Sequence, residues 1–398
     1  MTEQLYSIRI FILIFLFLQG CASHTIHQPV PELMAKHATV IDAPDVRIIP
    51  HEFNEEFMTV MASNILQQQT NSGLLQDEQG NLIASNFLAL SGGSEGGAFG
   101  AGFLNGWTAN GTRPEFTLVT GISTGALIAP FAFLGPDYDH VLKELYTNTP
   151  SEQLIRKNSI FTIFSRNAVF STSPIKNIIA KIINKEFLGK IAYEHERGRR
   201  LFIGTTNMDT MRGVIWNMGV IAGSKHPYSL QLFRDIMLAS ISIPVAFPPV
   251  YIKVNVDGKE YDEMHVDGGT ASQIFVYPIE FKLKKLSKKI DLDRERRLFI
   301  IRNSRVLPYA RSFNPGLLTI AERSISMLIT MQGNGDLYRI YLKAQRDELD
   351  FNLAFIPTQF VDETEKRFDP TDMKKLYDYA YQQAKKGYPW RKTLPGFE

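Results

Sequence analysis

The sequence predicts an α/β domain with a mainly parallel sheet flanked by helices, and three features predict it. Leu88-Ala89-Leu90 ends a buried apolar run and passes through a glycine-rich stretch into a helical pattern. Phe116-Thr117-Leu118-Val119-Thr120 is a second strand-like run, and a tight turn carries it into helix-prone Ala126-Leu127-Ile128-Ala129. Further strand-like runs alternate with helical patterns along the rest of the chain, which is how parallel sheets are written in sequence. At 398 residues and 44% apolar, the chain is long enough to bury a large core.

Taken in order, Ile10 to Leu18 is a nine-residue apolar core after Arg9, too short to span a bilayer as a helix. It reads as a secretory signal over residues 1–20. Leu18-Gln19-Gly20-Cys21 resembles a bacterial lipobox, so Cys21, the only cysteine, is expected to carry a lipid anchor. Ala22 and Ser23 follow with no aspartate, which points to the outer membrane of a bacterial envelope. Residues 21–54, with Pro29, Pro31, Pro44 and Pro50, read as a tether. His24, His27 and His37 are too loosely spaced for a metal tract.

A catalytic domain is expected over residues 55–305 and a helical extension packed on it over 306–398. Helices are predicted near 55–69, 138–147, 174–184 and 228–240, and strands at 200–206, 214–217 and 297–302. Pro130 should bend the helix after the tight turn. Asp257-Gly258 between two alternating runs signals a hairpin. Toward the end, a helix over 317–346 is expected to be interrupted by Gly333 and Gly335, a strand follows at 353–356, and Asp369-Pro370 opens a last helix.

Chemistry concentrates in three places. Gly121-Ile122-Ser123-Thr124-Gly125 satisfies G-x-S-x-G between strand and helix, the context of a nucleophile elbow. Its glycines let strand and helix approach, and Ser123 is left at a helix N-terminus, where developing negative charge is favoured. Ser91-Gly92-Gly93-Ser94-Glu95-Gly96-Gly97 is a loop able to present several backbone N–H groups to one point, as an oxyanion requires. Ser94 formally competes as nucleophile, but its glycine surroundings suit a donor loop. A dinucleotide site is disfavoured because G-x-G-x-x-G is not met. Third, Met264-His265-Val266-Asp267-Gly268-Gly269 brings an acid to the end of a strand.

What takes the proton from Ser123 is constrained. No histidine follows His265, so the order Ser, Asp, His cannot be met with Asp267. His140, His195, His226 and His265 remain as bases in a rearranged triad. Asp267 is the other choice, provided that burial raises its pKa. Read alone, Asp267-Gly268 is a common turn dipeptide.

In this order the glycine-rich loop, Gly-Ile-Ser-Thr-Gly and Asp-Gly-Gly resemble the patatin-like phospholipase family, in its bacterial lipoprotein branch. Leu238 to Pro249 is similar to the family's Ala-Ser-x-x-x-Pro-x-x-Phe segment. The resemblance implies a lipid acyl hydrolase with a Ser–Asp dyad, Ser123 and Asp267, and no histidine. It implies an oxyanion hole at Gly92, Gly93 and Ser94, with Gly97, Gly121, Gly125, Gly268 and Gly269 as motif glycines. Two departures stand out: the family's third glycine is Ser94, and its usual Arg or Lys is Gly96.

Phospholipid or lysophospholipid is the expected substrate, with the membrane reached through Cys21 and no metal or organic cofactor. A net charge of +2 gives no footprint for nucleic acid. A general periplasmic esterase and a catalytically silent lipid-binding lipoprotein are the alternatives. Phe161, Ile163, Phe164, Val169 and Phe170 form an apolar cluster that is either a lid, an acyl-chain wall or core.

Overall fold

The computed structural model describes residues 27–41, 43, 45–50, 52, 54–159, 168–290, 292–307, 314–360 and 368–397. The signal segment, Cys21, and Phe161, Ile163 and Phe164 lie outside the described residues.

Strand β1 (Arg47–Ile48) precedes helix α1 (Glu55–Asn71). β2 (Ser85–Leu90) leads into α2 (Gly97–Asn110), and β3 (Leu118–Ile122) into α3 (Thr124–Leu134). The chain continues through α4 (Asp139–Thr147), α5 (Ser151–Leu154), the short pair β4 (Arg156–Lys157) and β5 (Phe170–Ser171), α6 (Ser173–Ile182) and α7 (Lys185–Glu196). β6 (Arg200–Asn207) and β7 (Arg212–Asn217) are followed by α8 (Met218–Gly223) and α9 (Ser229–Ser240). The hairpin of β8 (Val250–Val256) and β9 (Lys259–Asp267) comes next, then α10 (Leu283–Lys289) and β10 (Arg296–Arg302). α11 (Leu317–Arg346), β11 (Asp350–Phe355) and α12 (Pro370–Lys385) complete the chain.

The main sheet runs β1-β7-β6-β3-β2-β10-β11, with β9 also pairing with β6 and β8. β6, β3, β2, β10 and β11 are mutually parallel, whereas β1, β7, β8 and β9 join antiparallel. Both faces are covered, so β2 and β6 are buried along their whole length rather than alternating. Side chains still divide by the two-residue period. Leu88, Val119, Leu201 and Phe299 face the larger core, built with α2 to α4, α6 to α9 and α12. Phe87, Leu298, Ile300 and Leu353 face the other side, where the second half of α11 packs.

The hairpin turns at Asp257-Gly258, both at positive φ as its two-residue loop requires. Asp369 caps α12, accepting from Thr371 N–H at 2.9 Å. α3 runs through Pro130 to Leu134.

Two expectations are corrected. α11 is not interrupted at Gly333 and Gly335, because Gly333 instead gives room to the buried Arg302; a Cβ there would stand 2.2 Å from Arg302 Nη2. Nor is residue 306 onward only a helical extension. β11 pairs in parallel with β10 as part of the sheet. α12 lies so close to α2 that a Cβ on Gly102 or Gly106 would stand 2.2 Å from the carbonyl oxygens of Tyr377 and Tyr381.

Candidate active site

Ser123 sits between β3 and α3 with φ 53° and ψ −125°, a strained conformation for a residue with a side chain. The strain persists because the surroundings leave no slack. A Cβ on Gly125 would stand 2.3 Å from Leu90 O, and one on Gly121 would stand 2.5 Å from Gly125 O. Strand and helix therefore meet only because both positions are glycine. Ser123 N–H donates to Ser240 Oγ (3.0 Å), and Ser240 Oγ–H donates to Gly204 O (2.7 Å).

Asp267 arrives on the last residue of β9, opposite Thr205 of β6. Its backbone N–H donates to Ser242 O (2.9 Å), so Ser240 and Ser242 hold nucleophile and acid from one short segment. Asp267 Oδ1 accepts from Gly269 N–H (2.7 Å), while Oδ2 is buried without a well-formed hydrogen bond. Burial pushes the carboxyl up to about 7, and hydrogen bonding from Ser123, then from Gly269, offsets part of that rise. The two side chains predicted from sequence thus stand side by side, close enough for the Ser123 hydroxyl to act on the Asp267 carboxyl.

The four histidines go elsewhere. His265 is fully buried between Thr205 Oγ1 (2.9 Å from Nδ1) and Glu263 Oε2 (3.2 Å from Nε2), with both ring nitrogens engaged. Glu263 is itself paired with Arg47 at 2.6 Å. His195 packs on Gly219, and burial drives its pKa down to about 3. His140 Nδ1–H donates to Asp137 O (2.9 Å), and His226 Nδ1 accepts from Tyr228 N–H (3.1 Å). None of the four lines the cleft at Ser123.

The glycine-rich loop lies beside this pair. The Gly92 N–H, expected as an oxyanion donor, is already given to Gln273 O (3.1 Å). Gly93 and Ser94 N–H donate to no protein acceptor among the described residues. A Cβ on Gly93 would stand 1.9 Å from Asn303 O, so this position must be glycine. Ser94 adopts φ 54°, which glycine would take without strain. Gly97 opens α2 against Thr124 and Tyr146, while Gly268 and Gly269 turn the chain against Gly204 and Gln273.

Above Ser123 is a cleft of about 570 Å³, open solvent at its mouth included, walled by Leu127, Leu145, Ile155, Ile175, Phe247 and Met373. Phe170 packs against Phe247 with ring centroids 5.9 Å apart and planes tilted by 45°, which makes part of the apolar cluster read from sequence a support of this wall. Thr124 and Tyr146 share a 2.7 Å hydrogen bond at the floor.

Sequence reasoning missed Gln273, Asn303 and Asp336. Asn303 N–H donates to Ser91 Oγ and its Nδ2 to Ser91 O, both at 2.8 Å, which ties the glycine-rich loop to the end of β10. Asp336 of α11 accepts from Gln273 N–H (2.7 Å) and Ser272 Oγ (3.0 Å), fixing the carbonyl that engages Gly92. The available signal was position and only for Asn303, a polar residue just after the carboxyl end of the parallel strand β10.

Residues 88–279 match the model of the patatin-like phospholipase family. The chain carries a patatin-like phospholipase domain. The glycine-rich loop, the elbow and Asp-Gly-Gly, on which the resemblance rests, all fall within the matched residues. The crystal structure of VipD from Legionella pneumophila is a structural neighbour at 12% identity and a TM-score of 0.32, covering 79% of this chain and 69% of that one. A search of curated proteins returned no match. Among the described residues, no group of histidine, cysteine and carboxylate side chains could hold a metal ion, and no helix is long and apolar enough to cross a membrane.

Proposed function

We propose that the chain hydrolyses carboxylic esters of phospholipids or lysophospholipids through a Ser123–Asp267 dyad and an acyl-enzyme. The observation that carries this reading is a strained serine facing a buried carboxylate whose outer oxygen has no better partner. A carboxylate near its ordinary pKa is a poor base at neutral pH, whereas one pushed up to about 7 is well matched.

Asp267 Oδ2 takes the hydroxyl proton as Ser123 Oγ bonds to the ester carbon. The oxyanion that forms is held by the Gly93 and Ser94 amides at the N-terminal end of α2. Collapse breaks the bond to the leaving alcohol, which receives the proton from Asp267. Water then attacks the acyl-enzyme, gives its proton to Asp267, and releases the fatty acid as Ser123 regains a hydrogen.

The apolar walls of the cleft suit an acyl chain, and among the described residues no cation lines it to favour a phosphate. That absence keeps a non-phospholipid ester as the second reading. Cys21 as a lipid anchor would place the cleft near its substrate at the outer membrane. A serine-directed fluorophosphonate should label the wild type and not Ser123→Ala; labelling retained in the variant would overturn the assignment. Faster turnover of a soluble short-chain ester than of micellar lysophospholipid would favour the general esterase. Metabolic fatty-acid labelling of the wild type but not Cys21→Ser would support the anchor.

A further inference from the structure

A second cavity lies on the other face of the sheet and at the opposite ends of the strands. It holds about 990 Å³ of empty space, its open mouth included, between the sheet, α1 and α10. Close-packed interiors do not leave a gap of this kind by default. Met58, Met61 and Ile65 of α1, Phe87 and Phe202 of the sheet, and Leu286 of α10 give it apolar walls.

One edge is different. β2, β6 and β10 run parallel, so their first residues, Ser85, Arg200 and Arg296, share the amino edge of the sheet, with Arg294 just before. All four line the cavity, and among the described residues no aspartate or glutamate does. Among the described residues none of the three arginines forms an ion pair. Asp45 acts on Arg200, and Asp293 and Asp347 on Arg296, only at a distance. Arg294 is fixed by Ile83 O, Gln69 Oε1 and Leu74 O. Arg200 donates to His195 O (2.9 Å), Arg199 O (2.8 Å) and Gln68 Oε1 (2.7 Å), but its Nε is buried with no acceptor. Burial lowers Arg200 and Arg294 only to about 10, so both stay cationic at neutral pH. Arg200 and Arg294 are buried with no anion paired to them among the described residues, which is costly, and a carboxylate at this edge would relieve that cost.

We infer that this cavity binds a long-chain fatty acid, its chain along the apolar walls and its carboxylate at the arginine edge. The site is separate from the Ser123 cleft and does not depend on the catalytic reading. Palmitate is the probe, measured by displacement of a fluorescent fatty acid from the full chain. Leu127→Trp, which fills the Ser123 cleft, serves as the background, and heat unfolding checks that each variant is folded. This background should bind one palmitate per chain. Adding Ala62→Trp, on the inner side of α1, should weaken binding at least tenfold. Adding Arg296→Gln should weaken palmitate about tenfold and leave uncharged hexadecanol unchanged, an arm that stands even if Ala62→Trp fails to fold. No binding in the Leu127→Trp background, undiminished binding with Ala62→Trp, or equal loss of palmitate and hexadecanol with Arg296→Gln would each overturn the assignment.

Discussion

Glu263 and Asp267 stand four residues apart on β9, both buried, yet their protons are held in opposite ways. Burial raises each. At Glu263 the hydrogen bond from His265 and the charge of Arg47 more than reverse that effect and hold the carboxyl down at about 2. At Asp267 no cation among the described residues offsets burial, and the hydroxyl of Ser123 with one backbone amide leaves the carboxyl at about 7. A buried carboxylate with a full set of partners supports the fold; one left short of partners keeps a proton to exchange. The same distinction sorts the basic groups, since His265 has both nitrogens occupied and cannot serve Ser123.

The comparison breaks most visibly in turnover. Asp267→Asn and Ser123→Ala should each lower ester hydrolysis by about 10³-fold or more, and the double variant should be little worse, because the pair acts as a unit. Glu263→Gln should leave the pH dependence of hydrolysis in place. If it abolished turnover in a folded protein while Asp267→Asn did not, the roles of the two acids would be exchanged.

Stability should show the converse. Removing the charge of Glu263 leaves Arg47 with its other acceptor, Ala38 O, but no anion paired to it among the described residues. Glu263→Gln should cost about 3–5 kcal/mol in urea unfolding, the usual penalty for breaking a buried pair from one side. Asp267→Asn should act in the other direction. Between about pH 4 and pH 7 the unfolded chain ionises Asp267 while the folded chain keeps its proton, so stability falls as pH rises through this window and levels above 7. The full effect is of order 4 kcal/mol for about three pKa units. The gain of Asp267→Asn over wild type should therefore be larger at pH 8 than at pH 4.5. By the same titration, kcat/KM for a soluble ester should fall about tenfold per unit below pH 7, since the base must be ionised.

How much of this could be read beforehand follows from how local each signal is. The elbow, the hairpin and Asp-Gly-Gly are written in adjacent residues, and the structure brings them together as the sequence implies. The hydrogen bonds that hold them are not local. Ser240 reaches Ser123 across 117 residues, and Asn303 reaches Ser91 across 212. Nothing near Gly333 in sequence announces the Arg302 guanidinium that it accommodates. β11 was visible as a strand, but its place beside β10 depends on how the chain returns after α11. The opposed states of Glu263 and Asp267 were hidden for the same reason, since Arg47 joins the pair from more than 200 residues away.

Ser94 gives the smallest effect and the finest test of the site. It stands where the resemblance implies a glycine and adopts the positive φ that glycine favours, at 54°. A side chain there costs about 1–2 kcal/mol, while glycine would lose about 0.5–1 kcal/mol more backbone freedom on folding. Ser94→Gly should thus change stability by less than about 1 kcal/mol, in the stabilising direction, as read by urea unfolding. Its amide should still point to the same place, because Gly93 is pinned against Asn303 O and Gly96 N–H returns to Gly93 O at 2.9 Å. Turnover should accordingly stay within about threefold of wild type, against the loss of about 10³-fold expected for Asp267→Asn. A much larger loss would mean that the Ser94 hydroxyl, and not only its backbone, takes part in the reaction.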